Sequence, residues 1–185
     1  AQYLAESVPL PRALYSHADQ IDQWQTSVPQ GLTQLSGWGG RAADILHSTA
    51  NSGQTSMSIS LSGNNLFQVG NSTQQFVITS DGALTLTAQQ SDPGGDPNNP
   101  LRLKNQASRS VIEQQYSNLI QDSYAQLSKS SLDMQEYFLQ QFTAYDDSAV
   151  ASYFPSNNWL AQQFRAALKT IVLREQLGLT RQTLF

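Results

Sequence analysis

The sequence predicts a mixed α/β chain, mainly helical, with a small antiparallel β-hairpin region and one long helix. Three observations carry this expectation. Apolar residues alternate with serines from Met57 to Ser62, which is a period of two. Asp81-Gly82 stands between the runs Phe76–Thr79 and Ala83–Thr87, the strongest short-range hairpin signal. Between Ile112 and Phe142 the apolar residues recur mostly at three-, four- and seven-residue intervals, a helical period.

Residues 1–35 hold Pro9, Pro11 and Pro29 and read as turn-rich. Within them Ser16-His17-Ala18-Asp19 has the Ser-x-x-Asp spacing of a helix start, where the hydroxyl caps a free amide. A short helix to about Trp24 follows. Gly37-Trp38-Gly39-Gly40 opens a second helix from Arg41 to Thr49, with Ala42, Ile45 and Leu46 on one face and Asn51 and Gly53 closing it. Met57 to Leu61 is then a strand with one buried face. Gly63-Asn64-Asn65 turns the chain into a second short strand, Leu66–Val69. Asp81-Gly82 is expected to form the two-residue type I′ turn of the hairpin.

Residues 91–100 (SDPGGDPNNP) lack packing side chains and read as a loop. The long amphipathic helix runs from Ser108 to Ala144, about 55 Å at 1.5 Å per residue. That length invites a break, for which Ser130-Ser131 is the expected place. After Pro155, Asn157 or Asn158 caps a last helix in which Leu160, Phe164, Ala167, Leu168 and Ile171 share a face, and Gly178 stops it. Thr183-Leu184-Phe185 begins a strand. The chain divides into a helical segment (1–54), a β-hairpin insertion (55–90), a loop (91–100) and a helical segment leading into a core strand (101–185). Together they are expected to form one partial domain, an internal piece of a larger secreted protein.

Uncharged polar residues dominate the surface chemistry, with 24 Gln and 23 Ser against a net charge of −4 from scattered charges. No Lys/Arg run exists to neutralise a phosphate backbone, so nucleic acid is not an expected partner. The absence of Cys removes disulfides, thiol nucleophiles and thiolate metal sites together. Apolar runs such as Ile171-Val172-Leu173 are far short of a membrane span.

His17 and His47 are the two histidines, and neither has a chelating partner three or four residues away beyond Asp44. No metal site or cofactor is therefore expected within these residues. Ser16, His17 and Asp19 carry the letters of a catalytic triad, but neighbours on a helix point about 100° apart, so they cannot form its contacts. Ser16 reads as an N-cap. At a helix N-terminus facing a site completed by other segments, it could also serve as a nucleophile beside His17. Gly39 and Gly40 before a helix leave amides open, and Arg41 adds a fork of donors for phosphate or sulfate. The competing and favoured reading of that stretch is a tight turn on which Trp38 packs, with Arg41 solvated.

Four stretches together resemble one family. They are Leu10–Thr26 (LPRALYSHADQIDQWQT), Gly37–Asp44 (GWGGRAAD), Ser60–Phe67 (SLSGNNLF) and Leu173–Gln182 (LREQLGLTRQ). They are similar to the DUF1501 family of bacterial proteins, over nearly the whole chain. The resemblance implies an alkaline-phosphatase-like α/β fold, grouped with the sulfatases. It also implies twin-arginine export and an extracytoplasmic location, periplasmic or secreted. It further implies a divalent metal in the full-length protein, bound by Asp and His motifs that do not occur in this sequence. The partners implied are the remainder of the protein's own chain and a small phosphate or sulfate ester. A non-catalytic binding or secretion-associated module on the same fold is the alternative.

Overall fold

The computed structural model describes residues 13–28, 35–51, 55–84 and 96–185. Along them lie α1 (His17–Thr26), α2 (Trp38–Ala50), β1 (Ser58–Ser60), β2 (Gln75–Thr79), β3 (Gly82–Ala83), α3 (Pro100–Ile112), α4 (Leu119–Ala144), α5 (Ser148–Ala151), α6 (Trp159–Val172) and β4 (Thr183–Leu184). Among the described residues the fold is mixed α/β, with six helices around one small sheet.

The strand order is β3-β2-β1-β4. β1 lies parallel to β2, pairing Ser58 with Gln75, and parallel to β4, pairing Ile59 with Leu184. β2 and β3 pair antiparallel. β1 is therefore a central strand, and the expectation of one buried face is corrected: Ser58, Ile59 and Ser60 are all fully buried. A serine can sit in a core when its hydroxyl is bonded there. Ser60 Oγ donates to the Gly63 carbonyl at 2.6 Å. Alternating serine thus mimicked a solvent face.

Leu66–Val69 is not a strand. It is part of the crossover from β1 to β2, and the carbonyls of Phe67 and Val69 are taken by the amides of Gly40 and Gly37, both at 2.9 Å. The hairpin exists, one residue out of the expected register. Pairing of Ile78 with Ala83 and Thr79 with Gly82 leaves Ser80-Asp81 as the loop. Gly82 has φ 115 inside the ladder, and neither loop residue has positive φ, so the turn is not type I′. A Cβ on Gly82 would crowd Phe142 and Leu139 of α4, so the glycine serves packing as well as the bend. Residues 85–87 of the expected return strand lie outside the described residues, as do residues 91–95 of the expected loop.

α1 begins as expected, Ser16 Oγ accepting the Asp19 amide at 3.4 Å. α2 starts at Trp38, and its buried side is Gly39, Gly40 and Ala43, whereas Ile45 and Leu46 are exposed. The expected Ala42–Ile45–Leu46 face is corrected because the crossover presses on the glycine side. The single long helix is also corrected. α3 starts at Pro100, ends at Ile112, and α4 restarts at Leu119. Asn118 makes the break by accepting the amides of Ile120 and Gln121 on its side-chain oxygen. Ser130-Ser131 stays helical, with Ser131 Oγ donating back to the Leu127 carbonyl at 3.0 Å.

Asn158 caps α6. The expected stop at Gly178 is corrected: α6 ends at Val172, and Gly178 (φ 67) instead closes the turn that follows, where the Leu179 amide reaches the Arg174 carbonyl at 2.7 Å. The core joins Phe138 and Phe142 of α4 to Phe76, Ile78 and Ala83, and continues through Ile59, Met57, Leu177 and Leu179. Phe76 and Phe138 meet edge to face with centroids 5.2 Å apart.

Candidate functional site

In open sheets of parallel strands, ligands bind beyond the carboxyl ends, at the point where the strand order reverses. β1 is such a point, because the chain passes from it to β2 on one side while β4 lies on the other. The carboxyl ends of β1 and β4 lie side by side. There the Phe185 amide donates to the Ile59 carbonyl at 3.1 Å and the Leu61 amide to the Phe185 carbonyl at 2.8 Å.

Amides build this edge. Gln68, fully buried on the crossover, donates from Nε2 to the carbonyls of Ile59 at 2.9 Å and Thr183 at 3.0 Å, tying β1 to β4. Its amide bonds Asn65 Oδ1 at 2.9 Å, and Asn65 Nδ2 returns to Gln68 Oε1 at 3.1 Å. From α6, Gln163 Nε2 donates to the Leu61 carbonyl at 3.2 Å. An aromatic group flanks these amides. Phe67 stacks on Trp24 of α1, meets Trp38 of α2 edge-on at 4.7 Å, and lies 5.6 Å from Phe185. Nothing in the periodicity marks Gln68 or Asn65, although they lie in or beside one of the family-like stretches.

The residues singled out from sequence form no single cluster: Gly39 and Gly40 pack on Phe67 beside this edge, whereas Ser16 and His17 lie apart from it. The Gly40 amide is committed to Phe67, and a Cβ on Gly39 would lie 2.6 Å from the Phe67 ring. Arg41 spends its guanidinium on main-chain carbonyls, Nη1 on Ser36 at 2.8 Å and Nη2 on Thr26 at 2.7 Å. The stretch Gly39-Gly40-Arg41 therefore holds α1, α2 and the crossover together, and Arg41 is bonded rather than solvated. Ser16 and the exposed His17 start α1. It is the other end of α1, at Trp24, that reaches the aromatic group, and eight residues separate the two, about 12 Å along the axis.

Asp44 of α2 accepts four hydrogen bonds, from the amides of Thr73 (2.7 Å), Asn71 (2.6 Å) and Ser72 (3.0 Å) and from the Ser72 hydroxyl (2.9 Å). Burial pushes its carboxyl up, but the donated bonds outweigh burial and hold it well below the usual carboxylate range. His47 lies with Nδ1 3.4 Å from Asn51 Nδ2. Among the described residues no three His, Cys, Asp or Glu converge, and Asp44 has its oxygens filled. This donor set does not fit a divalent metal.

A separate groove of about 850 Å³ runs between β2 and the α3–α4 pair. Phe76, Val77, Ile112 and Leu132 line it together with Gln75 and Gln135, and among the described residues no charged side chain does. No helix among the described residues is long and apolar enough to cross a membrane. Comparison with protein-family models, with curated proteins and with solved structures finds no match.

Proposed function

We propose that this chain is part of an exported hydrolase-like protein of the alkaline phosphatase and sulfatase type, acting on small phosphate or sulfate esters. The family-like stretches suggest it. The observation that carries it is the parallel order β2-β1-β4, whose reversal at β1 lies beside three of those stretches and is compatible with a ligand at the carboxyl ends. On this reading the protein works outside the cytoplasm with a divalent metal whose ligands are not supplied by the residues described here. The chain's own part is to build the sheet and the carboxyl edge against which the ester lies. The resemblance makes Ser16 the candidate nucleophile and His17 its neighbour, at the end of α1 about 12 Å along its axis from the Trp24 that flanks this edge.

A second reading, binding without catalysis, draws on a specific observation. The donors of Gly40 and Arg41 are already engaged by main-chain carbonyls, whereas an uncharged groove of about 850 Å³ lies elsewhere, between β2 and the α3–α4 pair. Turnover separates the two. The natural protein that carries this chain, purified with manganese or zinc, should hydrolyse aryl phosphate or aryl sulfate and lose that activity when metal is chelated. Absence of turnover with either ester, in metal-loaded and folded protein, would leave binding as the function.

A further inference from the structure

Thr55 is 1% exposed, and its Oγ1 has no hydrogen-bond partner, alone among the buried side-chain polar atoms of the described residues. Protein interiors rarely leave a hydroxyl in that state, and a bound water or ligand is the usual completion. Its surroundings are satisfied. Ser56 donates its hydroxyl to the Gln74 carbonyl, and Ser72 donates to Asp44 Oδ1 at 2.9 Å. Thr55 lines a cleft of about 430 Å³ between the last turns of α2, the entries to β1 and β2, and the middle of α4. A single water takes about 30 Å³, so the cleft holds far more than the one molecule that the hydroxyl needs. The volume falls within the range of small-molecule sites. His47 and Ser48 join the lining from α2 and Ser130 from α4, and neither serine hydroxyl is bonded within the described residues. The His47 ring is held at Nδ1, 3.4 Å from Asn51 Nδ2, which leaves Nε2 for a ligand. Leu127 and Met134 of α4 add an apolar wall.

We infer that this cleft binds a neutral, polyhydroxylated molecule of monosaccharide size, with Thr55 Oγ1 as its buried anchor. The threonine and serine hydroxyls both donate and accept, as the hydroxyls of such a ligand do, and the imidazole supplies one further bond through Nε2. Charge excludes the other classes. Among the described residues that line the cleft there is no Lys or Arg to hold an anion, and the Asp44 carboxylate repels one. Asp44 has its oxygens taken by four donated bonds, so it offers no ion pair to a cation. Leu127 and Met134 suit the C–H face of a sugar ring, which gains from dispersion contact. Thr55 and Gln74 precede the paired strands β1 and β2 and so mark their amino ends. The site therefore lies away from the carboxyl edge and takes a different chemistry from the esters proposed there.

Amide chemical-shift mapping with neutral sugars tests it. Glucose, galactose, mannose and N-acetylglucosamine would be titrated into the natural protein that carries this chain, with glucose phosphate as the charged counterpart. At least one neutral sugar should shift the amides of His47, Ser48, Thr55 and Ser130 saturably, and the phosphorylated sugar should not. Thr55→Val keeps the side chain's shape and removes an unpaired hydroxyl, so the thermal melt should hold or rise while the sugar dissociation constant increases about tenfold or more. Ser130→Ala, at an exposed position of α4, should weaken binding in the same direction with the melt unchanged. The proposal is overturned if no sugar of the panel produces saturable shifts at these residues, or if the phosphorylated sugar binds equally well. It is overturned too by a Thr55→Val protein that binds as the wild type does, because the hydroxyl then serves buried water alone.

Discussion

Asp44 Oδ1 accepts the amide of Thr73 at 2.7 Å, so a carboxylate on α2 fixes the turn that delivers the chain into β2. The same carboxylate takes Asn71 and Ser72, and the crossover from β1 to β2 is thereby held at one end by Asp44 and at the other by Gly37 and Gly40.

Asp44→Ala should cost about 1–3 kcal/mol of stability, the range for leaving hydrogen-bonding partners without an acceptor. The effect should depend on pH in a definite direction. The folded state lowers the Asp44 carboxyl below its unfolded value, so its contribution is fully present above about pH 4 and fades as pH falls towards the folded value. Urea unfolding of both proteins at neutral and acid pH should show the gap between them narrowing on acidification.

Gly40→Ala tests the packing of the crossover on α2. The new Cβ would fall inside the contact distance of the Val69 carbonyl, which is backbone and cannot step aside. A loss of about 1–3 kcal/mol, the usual cost of overpacking, should appear as a lower denaturation midpoint. Alanine normally favours a helix over glycine, so a stabilised variant would show that the crossover does not dock here.

Gln68→Leu keeps the side chain's bulk and removes the amide that ties Ile59 to Thr183. The buried partners lose a donor, so destabilisation of about 1–3 kcal/mol is expected. Hydrogen exchange should speed most at Thr183 and Phe185, the amides that anchor β4 to β1.

Local signals were legible at two helix starts, where one side chain decides the geometry. Ser16 and Asn158 each cap a helix where their side chains predict. The misreadings arose where a tertiary contact supplied the missing term. Ser58 and Ser60 look like a wet face until their burial between β2 and β4 is seen. Ile45 and Leu46 look like a packing face, but Gly37 and Gly40 let a backbone, and Gly39 the Phe67 ring, approach the start of α2 more closely. Asn118 was outvoted by a helical period that runs through it, although its side chain is a strong cap. At the candidate site, the glycine and arginine stretch was recognisable as special, yet the donors' targets are main-chain carbonyls that no local pattern reveals.

Ser16→Ala separates capping from chemistry. As an N-cap it should cost about 1 kcal/mol and leave ester affinity alone. As the nucleophile it should abolish turnover in the natural protein far beyond that stability change. Serine-to-glycine replacement, which costs only a few tenths of a kcal/mol at a cap, sharpens the comparison.

The central claim is that ligand meets the carboxyl edge of β1 and β4, and amide chemical-shift mapping tests it most directly. Orthovanadate, a phosphate mimic, would be titrated into the metal-loaded natural protein that carries this chain. Shifts concentrated at Leu61–Asn65, Gln163 and Phe185, with the α2 start beside them, are the predicted result. Shifts confined to the groove of Phe76, Ile112 and Leu132, or spread without focus, would contradict the account.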